Sequence, residues 1–110
     1  MKKILLLIGL VLLQVSAYAG NTISGRIIDD VEGDPLIGAT ASILDENGSI
    51  LTGASTDTNG KFTIRNINNG SYTMLFQFLG YEDMKIEITN LEKDMDMGDI
   101  RLSVSAVLLD

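Results

Sequence analysis

The 110-residue chain contains no cysteine, no histidine and no tryptophan, and only one proline. The missing cysteine and histidine exclude a zinc site of the usual nitrogen and sulfur kind, a thiol nucleophile and an imidazole base. Disulfides are excluded in any compartment. Positive charge is also scarce: Lys and Arg number 8 against 15 Asp and Glu, for a net charge of −7. A surface of that sign repels phosphate, so the chain is not expected to bind nucleic acid. Its length allows one small domain.

The first residues read as an export signal. Met1-Lys2-Lys3 is a short basic start, Ile4 to Leu13 is apolar except for Gly9, and Ser16-Ala17-Tyr18-Ala19 carries the small residues, Ala17 and Ala19, that signal peptidase reads. Ten apolar residues fall short of the roughly 20 needed to span a bilayer as a helix. No cysteine follows to accept a lipid. Residues 1–19 are thus assigned as a signal peptide. Cleavage after Ala19 would remove two of the eight cations, leaving six against 15 carboxylates and a net charge of −9.

From residue 20 onward the hydrophobic period is two. Seven strands are predicted: Thr22–Asp29, Ala39–Asp45, Ile50–Thr56, Lys61–Asn66, Ser71–Leu79, Asp83–Thr89 and Ile100–Val104. Turn signals separate them, among them Asn47-Gly48, Asp57-Thr58-Asn59-Gly60 and Asn68-Asn69-Gly70. The Ser71–Leu79 strand puts Tyr72, Met74, Phe76 and Phe78 on one face, with Leu75 and Leu79 on the other. It is therefore expected in the middle of its sheet. No segment has a helical face. Seven short strands with turns about every ten residues predict an all-β, seven-stranded Greek-key sandwich.

Candidate chemistry is sparse. Asp29, Asp30, Glu32 and Asp34 crowd one segment, and Glu92, Asp94, Asp96 and Asp99 another. Neither follows the ligand order of a calcium loop, so both are read as solvated acid. In Asp94-Met95-Asp96-Met97 the alternation fits a strand with Met inward. Glu82 and Asp83 are adjacent carboxylates that a strand would point to opposite faces, away from an acid/base pairing. Ser24, Ser42, Ser55 and Ser71 have no base to activate them. Lys61 or Lys85 with Asn66 or Asn90 are nominal partners for an isopeptide bond. No catalytic residue, cofactor or metal ligand is assigned.

Five segments resemble the carboxypeptidase regulatory-like domain, a transthyretin-like (prealbumin-like) sandwich found at the N-terminus of many outer-membrane receptors of Bacteroidota. They are Ile23-Ser24-Gly25-Arg26-Ile27-Ile28-Asp29, Asp34-Pro35-Leu36-Ile37-Gly38-Ala39-Thr40, Thr56-Asp57-Thr58-Asn59-Gly60-Lys61-Phe62, Gly70-Ser71-Tyr72 with Leu79-Gly80-Tyr81, and Met97-Gly98-Asp99-Ile100-Arg101-Leu102. They occur in order over residues 22–104. The motif residues Gly25, Pro35, Leu36, Gly38, Asp57, Gly60, Phe62, Gly70, Tyr72, Gly80, Tyr81 and Gly98 are read as structural. Gly60 is expected to take a strained turn position, Leu36 to plug one end of the sandwich, and Gly80 to let Tyr81 fold back onto a corner.

The resemblance implies a domain over residues 20–104 and the start of a linker at 105–110, where full-length receptors continue into a plug and a transmembrane β-barrel. Because an eight-stranded barrel needs roughly 100 further residues, it implies a truncated receptor rather than a stand-alone domain. The implied role is that of a non-catalytic periplasmic accessory domain of a TonB-dependent or related receptor for glycan uptake. Its partner would be the barrel and plug in cis, or a periplasmic protein, with no small-molecule substrate of its own. The alternative is a stand-alone exported domain that binds carbohydrate or a surface protein. The zinc carboxypeptidase that the module accompanies elsewhere needs metal-binding histidines that this chain lacks.

Overall fold

The computed structural model describes residues 20–105. The signal segment with Ala17 and Ala19, and residues 106–110, lie outside the described residues. Seven strands form: β1 Asn21–Asp29, β2 Thr40–Leu44, β3 Ile50–Ser55, β4 Lys61–Ile67, β5 Gly70–Gln77, β6 Met84–Leu91 and β7 Met95–Leu102. They make two sheets, one ordered β4-β1-β7 and the other β3-β2-β5-β6. All pairings are antiparallel except that of β1 with β7, which is parallel. The chain is an all-β, transthyretin-like sandwich.

The core lies where the alternating apolar faces meet. The three-stranded sheet contributes Ile23, Ile27, Phe62, Ile64, Ile100 and Leu102, and the four-stranded sheet Ala41, Ile43, Met74, Phe76 and Ile88, all buried. The rings of Phe62 and Phe76 meet across the two sheets with centroids 5.6 Å apart at 54°, a tilted packing that aromatic quadrupoles favour. Met95 and Met97 pack against this cluster half-buried. β5 lies inside its sheet between β2 and β6, the position its sequence predicts.

Four expectations need correcting. β7 starts at Met95, not Ile100, because a bulge places two β7 residues, Met97 and Gly98, against one of β1, Gly25 (Ser24↔Asp96, Arg26↔Asp99). The bulge moves the inward set from Met95 and Met97 to Ile100 and Leu102, which made one strand read as two segments. The other face of β5 is not greased as expected: Leu75 is half-buried and Leu79, beyond the strand's end, is 94% exposed. Val104 does not continue the core row. It is exposed and forms an isolated bridge with Tyr81. Finally, two of the four nominal isopeptide pairs, those within a single strand, are too far apart. Lys61 and Asn66 lie five residues apart on β4, as do Lys85 and Asn90 on β6, a span of roughly 17 Å.

Candidate functional site

The β1–β2, β3–β4 and β5–β6 connections and the segment after β7 gather at one end of the sandwich, and most of the motif residues gather with them. Asp29 organises this end. One carboxylate oxygen accepts from the backbone N–H of Val31 (3.0 Å) and Glu32 (2.8 Å), folding the acidic segment into a tight turn. The other accepts from the Tyr81 hydroxyl at 2.9 Å. Donation from the Glu32 N–H, then from Tyr81, holds the Asp29 carboxyl below its ordinary value, and the same bond raises the Tyr81 phenol.

Tyr81 arrives there because Gly80 adopts φ +87° and the Tyr81 N–H closes a turn onto the Phe78 carbonyl at 3.0 Å. Its ring packs on Phe78 with centroids 5.6 Å apart. The last segment is laced to the same corner. Glu82 N–H donates to Ser103 O (2.8 Å), Ser105 N–H donates to Gly80 O (2.9 Å), and the Ser103 hydroxyl donates to Asp30.

Beside this corner, Leu36 is buried under the end of the core, its N–H bonded to the Ile27 carbonyl at 3.0 Å. Thr56 fixes that loop. Its buried hydroxyl accepts from Ala39 N–H at 2.8 Å and donates to the Leu36 carbonyl. Gly60, at φ +75°, gives its carbonyl to the Ile27 N–H at 2.8 Å. A Cβ there would lie 2.7 Å from the Ile27 oxygen and 2.9 Å from the Pro35 Cβ. Asp57 accepts from the N–H groups of Asn59 and Lys61, each at 2.9 Å, and these bonds, Lys61 first, lower its carboxyl from the ordinary value.

The remaining motif residues lie elsewhere. Gly70 and Tyr72 sit at the opposite end, where the Tyr72 hydroxyl donates to the Asn68 carbonyl at 2.7 Å. Gly25 and Phe62 face each other in the β1–β4 ladder, and Gly98 occupies the β7 bulge at φ +70°. Pro35 is exposed and bridges Ile28, and Gly38 lies on the loop at φ +80°.

Some of the acids in the second run are engaged in the fold. Asp94 accepts from Thr22 N–H (2.8 Å), Asp96 from Gly98 N–H (2.9 Å), and Asp99 pairs with Arg26, which lowers its carboxyl. Among the described residues no group of three His, Cys, Asp or Glu side chains is placed to hold a metal, and no helix is long and apolar enough to cross a membrane. Every buried side-chain nitrogen and oxygen among them has a partner. At this end Val31, Ile37, Leu79 and Val104 stand exposed among Asp30, Glu32, Asp34, Glu82 and Asp83.

The sequence profile of the CarboxypepD_reg-like domain matches residues 23–110. The chain belongs to that family. This CarboxypepD_reg-like domain is 33% identical over 69 residues to the serine-aspartate repeat-containing protein D of Staphylococcus aureus strain Newman, a match covering 61% of the chain and 5% of that protein. The chain spans about a twentieth of the curated relatives it matches first. Among solved structures, a cohesin–X-dockerin complex from Acetivibrio cellulolyticus superposes with a TM-score of 0.65 at 26% identity, covering 77% of this chain and 58% of that one. The Klebsiella pneumoniae 5-hydroxyisourate hydrolase superposes at 0.60 with 20% identity, over 78% of this chain and 92% of that one, a likeness of fold alone.

Sequence reasoning missed two groups. Thr56 was legible only as part of a motif, since a threonine between strands gives no sign of the two backbone groups it will bridge. Asn21, buried at the start of β1, donates to Ile67 O (3.0 Å) and Asn69 Oδ1 (2.8 Å) across 46 and 48 residues of sequence, which no local pattern encodes.

Proposed function

We propose that the domain is a non-catalytic protein-contact module, exported to the periplasm and serving as the N-terminal extension of an outer-membrane β-barrel receptor of the TonB-dependent type, with glycans as the imported class. Residues 1–19 act as the signal peptide, 20–104 as the folded module and 105–110 as the start of the connection to the plug. The observation carrying this reading is the motif-rich end itself. Its buried polar groups are all partnered within the fold, while four aliphatic side chains, Val31, Ile37, Leu79 and Val104, are exposed on its loops. Exposed apolar groups rimmed by charge suit contact with another protein surface. The likeness to a domain of a cohesin–X-dockerin complex supports the contact role.

The test places a photo-crosslinking residue at Leu79 in the source organism. Crosslinks to a plug or barrel, together with an in-frame barrel-coding sequence downstream of Asp110, are the expected result. Recovery of the chain in the cytosol, or its crosslinking to no envelope protein, would overturn the proposal.

A further inference from the structure

Asn-Gly occurs three times in the chain, at 47–48, 59–60 and 69–70. The pair is chemically weak, because a glycine has no side chain to shield its backbone nitrogen from the amide carbon of the preceding asparagine. The fold decides which of the three is free to react.

The first two pairs occupy the same kind of turn. Gly48 N–H donates to the Asp45 carbonyl at 3.0 Å, and Gly60 N–H to the Asp57 carbonyl at 2.9 Å. Asp45 Oδ1 accepts from Asn47 and Ser49 N–H, as Asp57 Oδ1 accepts from Asn59 and Lys61 N–H, each at 2.9 Å. Packing separates them. Gly60 is buried beside Pro35, and its carbonyl holds the Ile27 N–H at 2.8 Å. Gly48 is exposed together with Glu46, Asn47 and Ser49, and a Cβ on it would meet nothing within 4 Å. The third pair is tied through its side chain. Asn69 Oδ1 accepts from Nδ2 of the buried Asn21 at 2.8 Å, and that nitrogen also donates to the Ile67 carbonyl at 3.0 Å. Swinging the Asn69 amide toward Gly70 would break this bond.

We propose that Asn47 is a site of spontaneous covalent modification, converted to aspartate and isoaspartate by its own neighbour Gly48, while the fold holds back Asn59 and Asn69. The Gly48 nitrogen attacks Asn47 Cγ. The new N–Cγ bond forms, the Cγ–Nδ2 bond breaks, and the Gly48 proton leaves with Nδ2 as ammonia. Water then opens the cyclic imide, at the side-chain carbonyl to give aspartate or at the backbone carbonyl to give isoaspartate. The bond from Gly48 N–H to the Asp45 carbonyl must open first. That opening costs little at an exposed hairpin tip and more where the glycine is packed under the core. Either product adds a carboxylate beside Asp45 and Glu46, and isoaspartate also lengthens the turn backbone by a methylene.

Peptide mapping of the purified chain, held folded at mildly alkaline pH and then digested in acid, reads the three sites separately. Fragments containing Asn47 are expected to gain about one mass unit. The gain should be at least about tenfold faster than at Asn59 or Asn69. Isoaspartate is expected among the products, since the cyclic route forms it and direct hydrolysis of the side chain does not. In concentrated urea, where the turns and the Asn21 bond are lost together, the three rates should converge. The comparison needs no variant. Equal rates in the folded chain, a lead for Asn59 or Asn69, aspartate without isoaspartate, or a lead for Asn47 that persists undiminished in urea would each overturn the proposal.

Discussion

The ring of Phe62 lies across the backbone of Gly25, so close that a Cβ on Gly25 would sit 2.9 Å from both Cε1 and Cζ of the ring. The two residues are directly opposite in the β1–β4 ladder. The glycine in the opening strand is therefore the space into which the hairpin's aromatic fits.

Gly25→Ala should cost about 1–3 kcal/mol through overpacking, read from urea unfolding. Phe62→Leu costs core contact in its own right but vacates the ring's position. The double variant is expected to be more stable, by about 1 kcal/mol, than the sum of the two singles implies. Strict additivity would mean that the ring does not dictate the glycine.

Gly60 and Gly38 separate backbone strain from collision. Both have positive φ, but a Cβ on Gly38 meets nothing within 4 Å, whereas one on Gly60 meets the Ile27 oxygen at 2.7 Å. Gly38→Ala should cost about 1 kcal/mol and Gly60→Ala about 3 kcal/mol. Equal losses in the unfolding midpoints would refute the distinction.

Thr56→Val keeps the shape and removes the hydroxyl. The Ala39 N–H and the Leu36 carbonyl then lose that partner in a buried place, a loss of about 1–3 kcal/mol. Thr56→Ser restores the hydroxyl and should recover most of it, with the Leu36 loop regaining its amide protection.

Stability should decline at both pH extremes through one pair. Asp29 titrates below its ordinary 3.8 in the fold, so its contribution is complete above that value and lost as pH falls through the lowered one. Tyr81 titrates above its ordinary 10.0, so its contribution is present below 10.0 and lost as pH rises through the raised value. Tyr81→Phe is expected to remove the alkaline decline and soften the acid one, as followed by urea midpoints across pH. Asp57 and Asp99 are also lowered, so an acid decline should persist in that variant.

The layout of strands was legible because alternation of Ile, Phe and Met against charged residues is a strong local signal. Where the reading stopped short, a bulge is responsible. β4 turns its inward set from Phe62 and Ile64 to Ile67 at Asn66 (φ +63°). β6 turns from Ile86 and Ile88 to Leu91 at Asn90 (φ +54°), and β7 turns at Gly98. Each change of parity ends a period-two pattern although the strand continues. The motif-bearing end was less legible. Gly80 and Tyr81 could be assigned a corner, but the partner of Tyr81, Asp29, lies 52 residues away. The acids of that segment appear in sequence as solvated charge, and only the fold shows that Asp29 holds a turn and a phenol at once. Pairing of the first strand with the last in parallel likewise has no local signature.

That parallel pairing of β1 with β7 fixes how the domain would carry a mechanical load. The polypeptide enters at one pole and departs at the other, so tension along it slides the two strands lengthwise past each other. Their ladder of bonds is then stressed in shear, all rungs together, instead of being peeled open one by one. A link strung this way yields slowly under pull, at a rate set by its unfolding barrier, and can pass a tug from one pole to the other while keeping its shape.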